Sequence, residues 1–133
     1  MTATTDDAAI ARELATRLPE IVAGGDLAAV LPLLSPDVRW GPDGEDTPQT
    51  CHSRDDVARW FGGRLRAGLQ PRLVETAVRG PRILLALAAS LPDGDSRERI
   101  LVLTVRGGRV VDVRSAFDRE HAERLLEPDA PPR

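Results

Sequence analysis

The 133-residue chain is long enough for a single domain with its own core. Its hydrophobic content of 41% is ordinary for a globular protein, and its formal net charge of -3 argues against nucleic acid, whose phosphates are bound by clustered positive charge. The single Cys excludes an internal disulfide and is compatible with a reducing cytoplasm. No apolar run is long enough to span a bilayer, and the polar, acidic first residues are not typical of a signal peptide. We therefore expect a cytoplasmic protein with no nucleic-acid partner and no membrane partner.

All 18 basic residues are Arg, and the chain contains no Tyr, Lys or Asn. This bias, together with abundant Ala, Asp and Gly, is typical of a GC-rich genome and predicts an actinobacterial source. It also means that no Tyr hydroxyl and no Lys amine is present to take part in chemistry.

The first half of the chain predicts helices. Residues 4–7 (Thr-Thr-Asp-Asp) form a helix start with acidic groups in the first turn. Pro19 should kink this helix, and Gly24 with Gly25 should end it. Asp26 is placed to cap a short second helix. The apolar faces of the two helices are Ile10, Leu14, Leu18 and Ile21, then Leu27, Val30, Leu31 and Leu34.

A brief strand is predicted over residues 38–40, followed by a polar loop over residues 41–50 that is rich in turn formers. Ser53 then caps a third helix, with Asp56 three residues later as a capping box. The apolar stripe of that helix is Val57, Trp60, Phe61 and Leu65.

The second half of the chain predicts strands, at residues 73–78, 83–89, 100–105 and 110–117. Residues 83–89 would also suit a short helix, but their short length and the Pro-Asp-Gly turn that follows favour a strand. A last short helix is predicted over residues 118–126. We expect one domain over residues 1–127 and a disordered tail over residues 128–133.

Two of these strands, residues 83–89 and 100–105, are apolar at nearly every position. Such a strand is buried on both faces. One face can cover a core beneath the helices, and the other face needs a second partner. A homodimer formed through the outer face of the sheet would supply it.

The double glycine Gly107-Gly108 fits a two-residue hairpin turn, and this predicts which side chains share a face. Arg106 would oppose Arg109, and directly opposed residues lie on the same side of a sheet. A single bulge would invert part of the assignment. The side predicted to share one face holds Glu98, Ile100, Val102, Thr104, Val111, Val113, Ser115 and Phe117, and the other side holds Leu101, Leu103, Val105, Val110, Asp112 and Arg114.

Helices followed by a curved sheet and a closing strand that ends in Phe117-Asp118 resemble the NTF2-like fold, and within it the SnoaL-like group. The resemblance implies an α+β, NTF2-like cone: three N-terminal helices packed on a strongly curved, mostly antiparallel sheet, with a short C-terminal helix. It also implies a cavity lined by the Ser115 side of the sheet. The residues that carry it are Gly25-Asp26-Leu27, Ser35-Pro36-Asp37-Val38-Arg39-Trp40, Cys51-His52-Ser53-Arg54-Asp55-Asp56-Val57 and Gly108-Arg109-Val110 with Phe117-Asp118.

The group includes polyketide cyclases, ketosteroid isomerases, limonene-type epoxide hydrolases, dehydratases and non-catalytic binding domains, so the resemblance does not select an activity. Ketosteroid isomerases place a general-base Asp where this chain has Gly41 before Pro42, and their Tyr donor cannot exist here. Limonene-type epoxide hydrolases carry an Asp where this chain has Ser115. Both of these specific activities are therefore disfavoured.

The expected pocket is mostly apolar, which suits a small hydrophobic metabolite as ligand or substrate. Thr104 and Ser115 would orient a carbonyl or hydroxyl group. The predicted pocket wall consists of Ile100, Val102, Thr104, Val111, Val113, Ser115 and Phe117 from the sheet, and of Trp40, Trp60 and Phe61 from the helix side.

Three residues are candidates for catalytic proton transfer. The carboxyl of Glu98 would have a raised pKa if it faced the apolar cavity; the alternative is a solvent-exposed Glu paired with a neighbouring Arg. His52 has a reference pKa close to physiological pH, but an exposed position before a helix cap would also explain it. Asp43 lies on the loop where related enzymes keep an acid, and it is alternatively one of several solvated acidic residues.

Neither a cofactor nor a metal is expected. Cys51 and His52 are adjacent in an extended segment and so are poorly placed as a catalytic pair; Cys51 is better explained as a small buried residue. His121 lies far along the chain, so no set of metal ligands converges, and there is no dinucleotide fingerprint or phosphate-binding loop.

Two functions stay open. One is a cofactor-independent enzyme doing proton-transfer chemistry of the cyclase, isomerase, dehydratase or epoxide hydrolase type. The other is a non-catalytic ligand-binding or dimerisation domain. A cavity with a carboxylate or His inside would favour the enzyme, and a cavity without an ionisable group would favour the binding domain.

Overall fold

The elements follow the predicted order along the chain, with one strand between the second and third helices and four strands before the last helix. The structure is a computed structural model that describes residues 6–25 and 27–127. The predictions made for Thr4, Thr5, Asp26 and the tail 128–133 therefore lie outside the described residues. The elements are α1 (Asp7–Gly24), α2 (Leu27–Val30), a 3-10 turn (Leu31–Leu33), β1 (Leu34–Pro42), α3 (Arg54–Arg66), β2 (Gln70–Arg79), β3 (Arg82–Ser90), β4 (Ser96–Arg106), β5 (Arg109–Ala116) and α4 (Arg119–Leu126).

The helix ends are set by local capping. The Asp6 carboxylate accepts a hydrogen bond from the N–H of Ala9 at the start of α1, and Gly25 ends that helix in the left-handed conformation with φ 61°. Pro19 lies inside α1, which continues through it to Gly24. The predicted cap of α3 is confirmed, because Ser53 Oγ accepts from the N–H of Asp56 at 3.0 Å.

The prediction of three N-terminal helices is not confirmed, because the second of them is much shorter than predicted. The second consists of one four-residue turn, α2, and a 3-10 turn, and Leu34 is the first residue of β1 instead of the last residue of a helix. Pro36 prevents the helix from continuing, because a proline disfavours helical backbone at the residue before it, here Ser35. Strand β1 is consequently nine residues long and begins four residues earlier than predicted.

The five strands form one open sheet in the order β1-β5-β4-β3-β2. Only β1 and β5 run parallel among these neighbours, and the other three pairings are antiparallel. Register shifts interrupt β2, the β4–β5 pair and β1, and such bulges bend a strand and increase its twist. Helix α1 packs on one face of the sheet, here named the inner face, and α4 packs on the opposite or outer face.

The main core lies between α1 and the inner face. Its fully buried side chains include Val38, Val57, Ile83 and Val113, each 0% exposed. Leu14 and Leu18 come from the predicted stripe of α1 and pack in the same cluster. None of the helices within the described ranges combines the length and the hydropathy needed to cross a membrane.

Helix α4 covers part of the outer face. Leu84 of β3 and Val102 of β4 are buried there against Ala122 and Leu126 of α4. The apolar outer side of these two strands therefore has a partner within the chain itself. The homodimer through the outer face remains a prediction, but the burial of Leu84 does not require it.

The predicted register of the last hairpin is wrong beyond its turn. Arg106 opposes Arg109 as expected, but a bulge between Thr104 and Val105 then shifts the pairing, so that Thr104 opposes Asp112 and Leu101 opposes Ser115. One extra residue on β5 moves every later partner on β4 to the other face. The inner row of β4 is therefore Leu101, Leu103 and Val105, which the sequence prediction had placed outside.

Candidate functional site

The inner face encloses an apolar cavity of about 80 Å³ between α1, α3 and the sheet. Every described residue that lines it is apolar or glycine, and none carries a titratable side chain. Its lining includes Leu18 from α1, Phe61 from α3 and Leu103 from β4. We call this space the inner cavity.

A wider and more polar space lies beside the inner cavity and is called the mouth. It measures about 440 Å³ and shares Trp40, Phe61, Pro71, Leu87 and Leu101 with the inner cavity, so the two spaces are neighbours along the same wall. Its polar side chains come from the β1–α3 loop, α3, β4 and β5. They are Thr47, Gln49, Arg64, Arg97, Arg99 and Ser115.

Three aromatic rings form the wall between the helices and the mouth. Trp40 of β1 lies 6.4 Å from Trp60 and 6.0 Å from Phe61, measured between ring centroids, and the two α3 rings are 5.8 Å apart. The two contacts that involve Phe61 are edge-to-face, an arrangement that the ring quadrupoles favour. The guanidinium of Arg64 lies 5.2 Å from the Trp60 ring centroid, within cation–π range.

The side chains on the inner side of β4 change from charged to apolar along the strand. Side chains of a strand alternate between faces, so Arg97 and Arg99 continue the inner row of Leu101 and Leu103. Both arginines line the mouth, whereas Leu103 lines the inner cavity. The same strand thus supplies an apolar floor and a cationic entrance.

The loop between β1 and α3 is tied down beside the mouth. Trp40 and Cys51 exchange two backbone hydrogen bonds of 3.0 and 2.9 Å, and the N–H of Thr47 donates to Thr50 Oγ1 at 2.8 Å. A side chain at Gly41 would place its Cβ only 2.7 Å from Thr50 Oγ1. The position where ketosteroid isomerases keep their base therefore has no room for an acid in this packing.

Cys51 is buried and lies at the mouth. Burial raises the pKa of its thiol, and the nearby charge of Asp56 raises it further. The thiol is therefore held in its protonated, poorly nucleophilic form. This agrees with the expectation of a small buried side chain.

The three predicted proton carriers are not brought together. Glu98 is exposed and opposes Ala88, on the outer row of β4, so it does not face the apolar cavity on which its proposed role depended. The His52 side chain is 59% exposed, and its Nε2 lies 3.2 Å from the carboxylate of Asp46. Asp43 follows the end of β1 and belongs to a separate cluster with α4.

That cluster joins Asp43 to His121, which sequence reasoning treated only as a distant histidine. The N–H of Phe117 donates to Nδ1 of His121 at 3.0 Å, so the ring proton is on Nε2, which donates to Asp43 at 2.8 Å. Arg114 donates to the same carboxylate at 3.0 Å. The hydrogen bond from His121 is the largest cause of the lowered pKa of Asp43, and Arg114 adds to it. The sequence contains one indication that His121 is packed: it lies four residues before Leu125, and this spacing puts both side chains on the same face of a helix.

The predicted pocket wall divides between the two faces of the sheet. Trp40, Phe61 and Val113 line the inner cavity, and Trp60 and Ser115 line the mouth. The remaining predicted residues do not line the inner cavity or the mouth. Ile100 packs in the cluster under α4, and Val102, Thr104 and Val111 line a groove on the outer face. The Phe117 side chain is 85% exposed and stacks on the ring of His121.

Metal binding has no evident site in the ranges that the structure describes, because no three His, Cys, Asp or Glu side chains there are grouped to share an ion. The chemistry that the inner cavity and the mouth offer is therefore apolar contact, hydrogen bonds from Thr47, Gln49 and Ser115, and the positive charge of the arginines.

No protein-family model and no curated protein sequence matches this chain. Solved structures do match its fold. The epoxide hydrolase/cyclase-like enzyme SalBIII, described as acting in pyran ring formation in the polyether salinomycin, is 17% identical; the match covers 88% of this chain and 97% of that chain, with a TM-score of 0.66.

Two further structures show the same likeness. An NTF2-like protein of unknown function from Mesorhizobium loti is 22% identical over 84% of this chain and 93% of that chain, with a TM-score of 0.67. An LEH-like epoxide hydrolase of M. tuberculosis is 16% identical over 94% of this chain and 92% of that chain, with a TM-score of 0.61. At such identities the likeness concerns the fold. With its helix-covered, open curved sheet, the chain thus has an NTF2-like fold.

Proposed function

We propose that this protein binds a small, largely apolar molecule inside its cone. The observation that carries the proposal is the inner cavity, whose lining residues within the described part of the chain are all apolar or glycine and which adjoins a mouth with a few polar groups. Apolar pockets with a small number of placed polar groups are the common form of small-molecule sites.

The sizes of the two spaces limit how the ligand lies. A cavity of about 150 Å³ in another protein accepts a benzene ring, and the inner cavity here has about 80 Å³. Only a few carbon atoms fit there without movement of the lining side chains. The larger part of the ligand would therefore lie in the mouth, against Trp40, Trp60 and Phe61.

Binding is favoured over catalysis because the described residues that line the inner cavity and the mouth include no acid–base group. A general base must lie within hydrogen-bond reach of the proton that it takes. Among the described lining residues of the inner cavity and the mouth there is no Asp, Glu or His. The thiol of Cys51 is held protonated by burial, and Gly41 and Ser115 stand where related enzymes keep acids.

The proposal is tested with N-phenyl-1-naphthylamine, a neutral dye whose fluorescence rises in apolar surroundings. Leu103→Phe should fill the inner cavity and weaken dye binding about tenfold, which corresponds to about 1.4 kcal/mol. Thr104→Phe is the matched control, because it adds a similar ring to the next residue on the outer face and should leave binding unchanged.

Circular dichroism and thermal unfolding would confirm that each variant is folded. Leu87→Phe, at the boundary between the inner cavity and the mouth, provides a second variant if Leu103→Phe does not fold. Absence of dye binding by the unsubstituted protein, or equal effects of the inner and outer substitutions, would contradict the proposal.

A second candidate function is proton-transfer chemistry beside the mouth, in an enzyme of the cyclase or epoxide hydrolase type. The specific observation is the His52–Asp46 pair, with Nε2 of His52 3.2 Å from the carboxylate, on the loop that also carries Thr47 and Cys51. An imidazole can move protons in general acid–base catalysis, and a neighbouring carboxylate orients its ring. The names of SalBIII and of the M. tuberculosis protein describe related chemistry for those proteins.

For this second candidate, hydrolysis of styrene oxide and limonene oxide is the assay. If His52 is the base, His52→Gln should lower turnover about 100-fold or more, because a positioned proton carrier contributes on that order. Glu98→Gln should have no effect, since Glu98 lies on the outer row of β4. No epoxide opening by the unsubstituted protein, or full activity in His52→Gln, would remove this candidate.

A further inference from the structure

Three arginines line the mouth, and no Asp or Glu of the described residues lines it with them. Arg97 and Arg99 come from the inner row of β4, and Arg64 comes from α3. Two different elements therefore place positive charge around the same opening. The chain as a whole has a formal net charge of -3, so this local excess runs against the overall charge.

No carboxylate of the described residues lies within 4.0 Å of the guanidinium groups of these three arginines, and Arg64 lies instead over the face of Trp60. An unpaired guanidinium beside a low-dielectric wall keeps its positive potential and its donors for a ligand. Arginines elsewhere do pair with carboxylates, namely Arg39, Arg59, Arg79, Arg114, Arg119 and Arg124.

The positive charges of the mouth lie next to apolar surface, and this combination favours a ligand that has both an apolar part and a negative charge. Leu101 follows Arg99 on the inner row of β4 and lines both the mouth and the inner cavity. A molecule whose apolar body reaches the inner cavity would thus place its other end beside Arg97 and Arg99. Guanidinium groups bind carboxylates through two parallel hydrogen bonds, which gives both strength and orientation.

We infer that the ligand of the cone is a carboxylic acid with an apolar body, whose carboxylate is bound by Arg97 and Arg99 with Arg64 opposite. This inference rests on the proposed function and adds the head group of the ligand to it. It requires no proton carrier in the cavity, because the carboxylate is bound and not transformed.

The test compares octanoate with octan-1-ol, which share a chain length and differ in head charge. Trp40 and Trp60 both line the mouth, so a change in tryptophan fluorescence reports binding of either probe, and calorimetry gives the affinity independently. At low ionic strength and neutral pH, octanoate should bind at least tenfold more tightly than octan-1-ol. This preference should shrink at high salt, because exposed charges are screened.

The double variant R97Q/R99Q should weaken octanoate binding at least tenfold and leave octan-1-ol binding within twofold. Arg106→Gln is the matched control, because Arg106 is an exposed arginine on the same strand that lines the outer groove. Both probes should bind this control as they bind the unsubstituted protein.

The outcomes separate the inference from the proposed function. Equal affinities for octanoate and octan-1-ol, or a loss of octanoate binding in Arg106→Gln as large as that in R97Q/R99Q, would overturn the carboxylate site and leave an apolar pocket in place. Failure of both probes and of the neutral dye to bind would overturn the two proposals together.

Discussion

Leu84→Ala is expected to lower the free energy of unfolding by about 2–5 kcal/mol, as large-to-small substitutions in a packed core do. Leu84 is 0% exposed, and it packs with Val102, Ala122 and Leu126 in the cluster between the outer face and α4. Removal of its side chain leaves a cavity beneath α4. The loss is measured by urea unfolding at pH 7.

The same experiment tests what covers the outer face. If α4 supplies the burial, the loss should be the same at low and high protein concentration, because the contact lies within one chain. A loss that grows with protein concentration would indicate that a second copy covers Leu84 instead. A loss below about 1 kcal/mol would contradict the packing of Leu84 against α4. Val74→Ala is the control, since Val74 is 60% exposed and should change the free energy of unfolding by less than about 0.5 kcal/mol.

Asp43→Asn should lower the free energy of unfolding by about 1.5–3 kcal/mol at pH 7, the range for hydrogen bonds that involve charged groups. The carboxylate accepts from His121 and Arg114, and it ties the end of β1 to α4 across 78 residues of sequence. Asn keeps the size of the side chain and removes its charge. Glu45→Gln, an exposed change on the same loop, should have little effect.

The effect of Asp43→Asn should depend on pH in one direction. Hydrogen bonding to His121, with Arg114, holds the pKa of Asp43 below its ordinary value of 3.8 in the folded state. The unfolded chain then binds more protons, so this contribution is complete above about pH 3.8 and is lost as the pH falls through the lowered pKa. The difference in unfolding free energy between the two proteins should be smaller at pH 3 than at pH 5. A difference that grows on acidification would contradict the assigned contact.

Local features of the sequence predicted the order of the helices and strands and several of the caps and turns that bound them. The cap at Ser53, the end of α1 at Gly25 and the turn at Gly107-Gly108 all occur where expected. Each of these depends on a few adjacent residues, and so each can be deduced from short patterns. The motifs also indicated the fold, which the structural relatives bear out.

The candidate site was predicted only in part, and the reason is geometric. Trp40, Phe61 and Val113 line the inner cavity as expected, but Ile100, Val102 and Thr104 do not. The faces of a strand alternate with a period of two, so the single bulge near Thr104 exchanged the inner and outer rows of β4. The sequence pattern there is apolar on both faces and cannot distinguish them.

The sequence by itself thus determined the succession of helices and strands, the caps and turns, and the lack of acids at two positions where related enzymes carry them. Only the tertiary structure decided which row of β4 faces the cavity, that Arg97 and Arg99 reach its mouth, and that Asp43 meets His121. These features depend on contacts between residues far apart along the chain. Because such contacts follow from the register of the sheet and the packing of α4, no short stretch of sequence contains them.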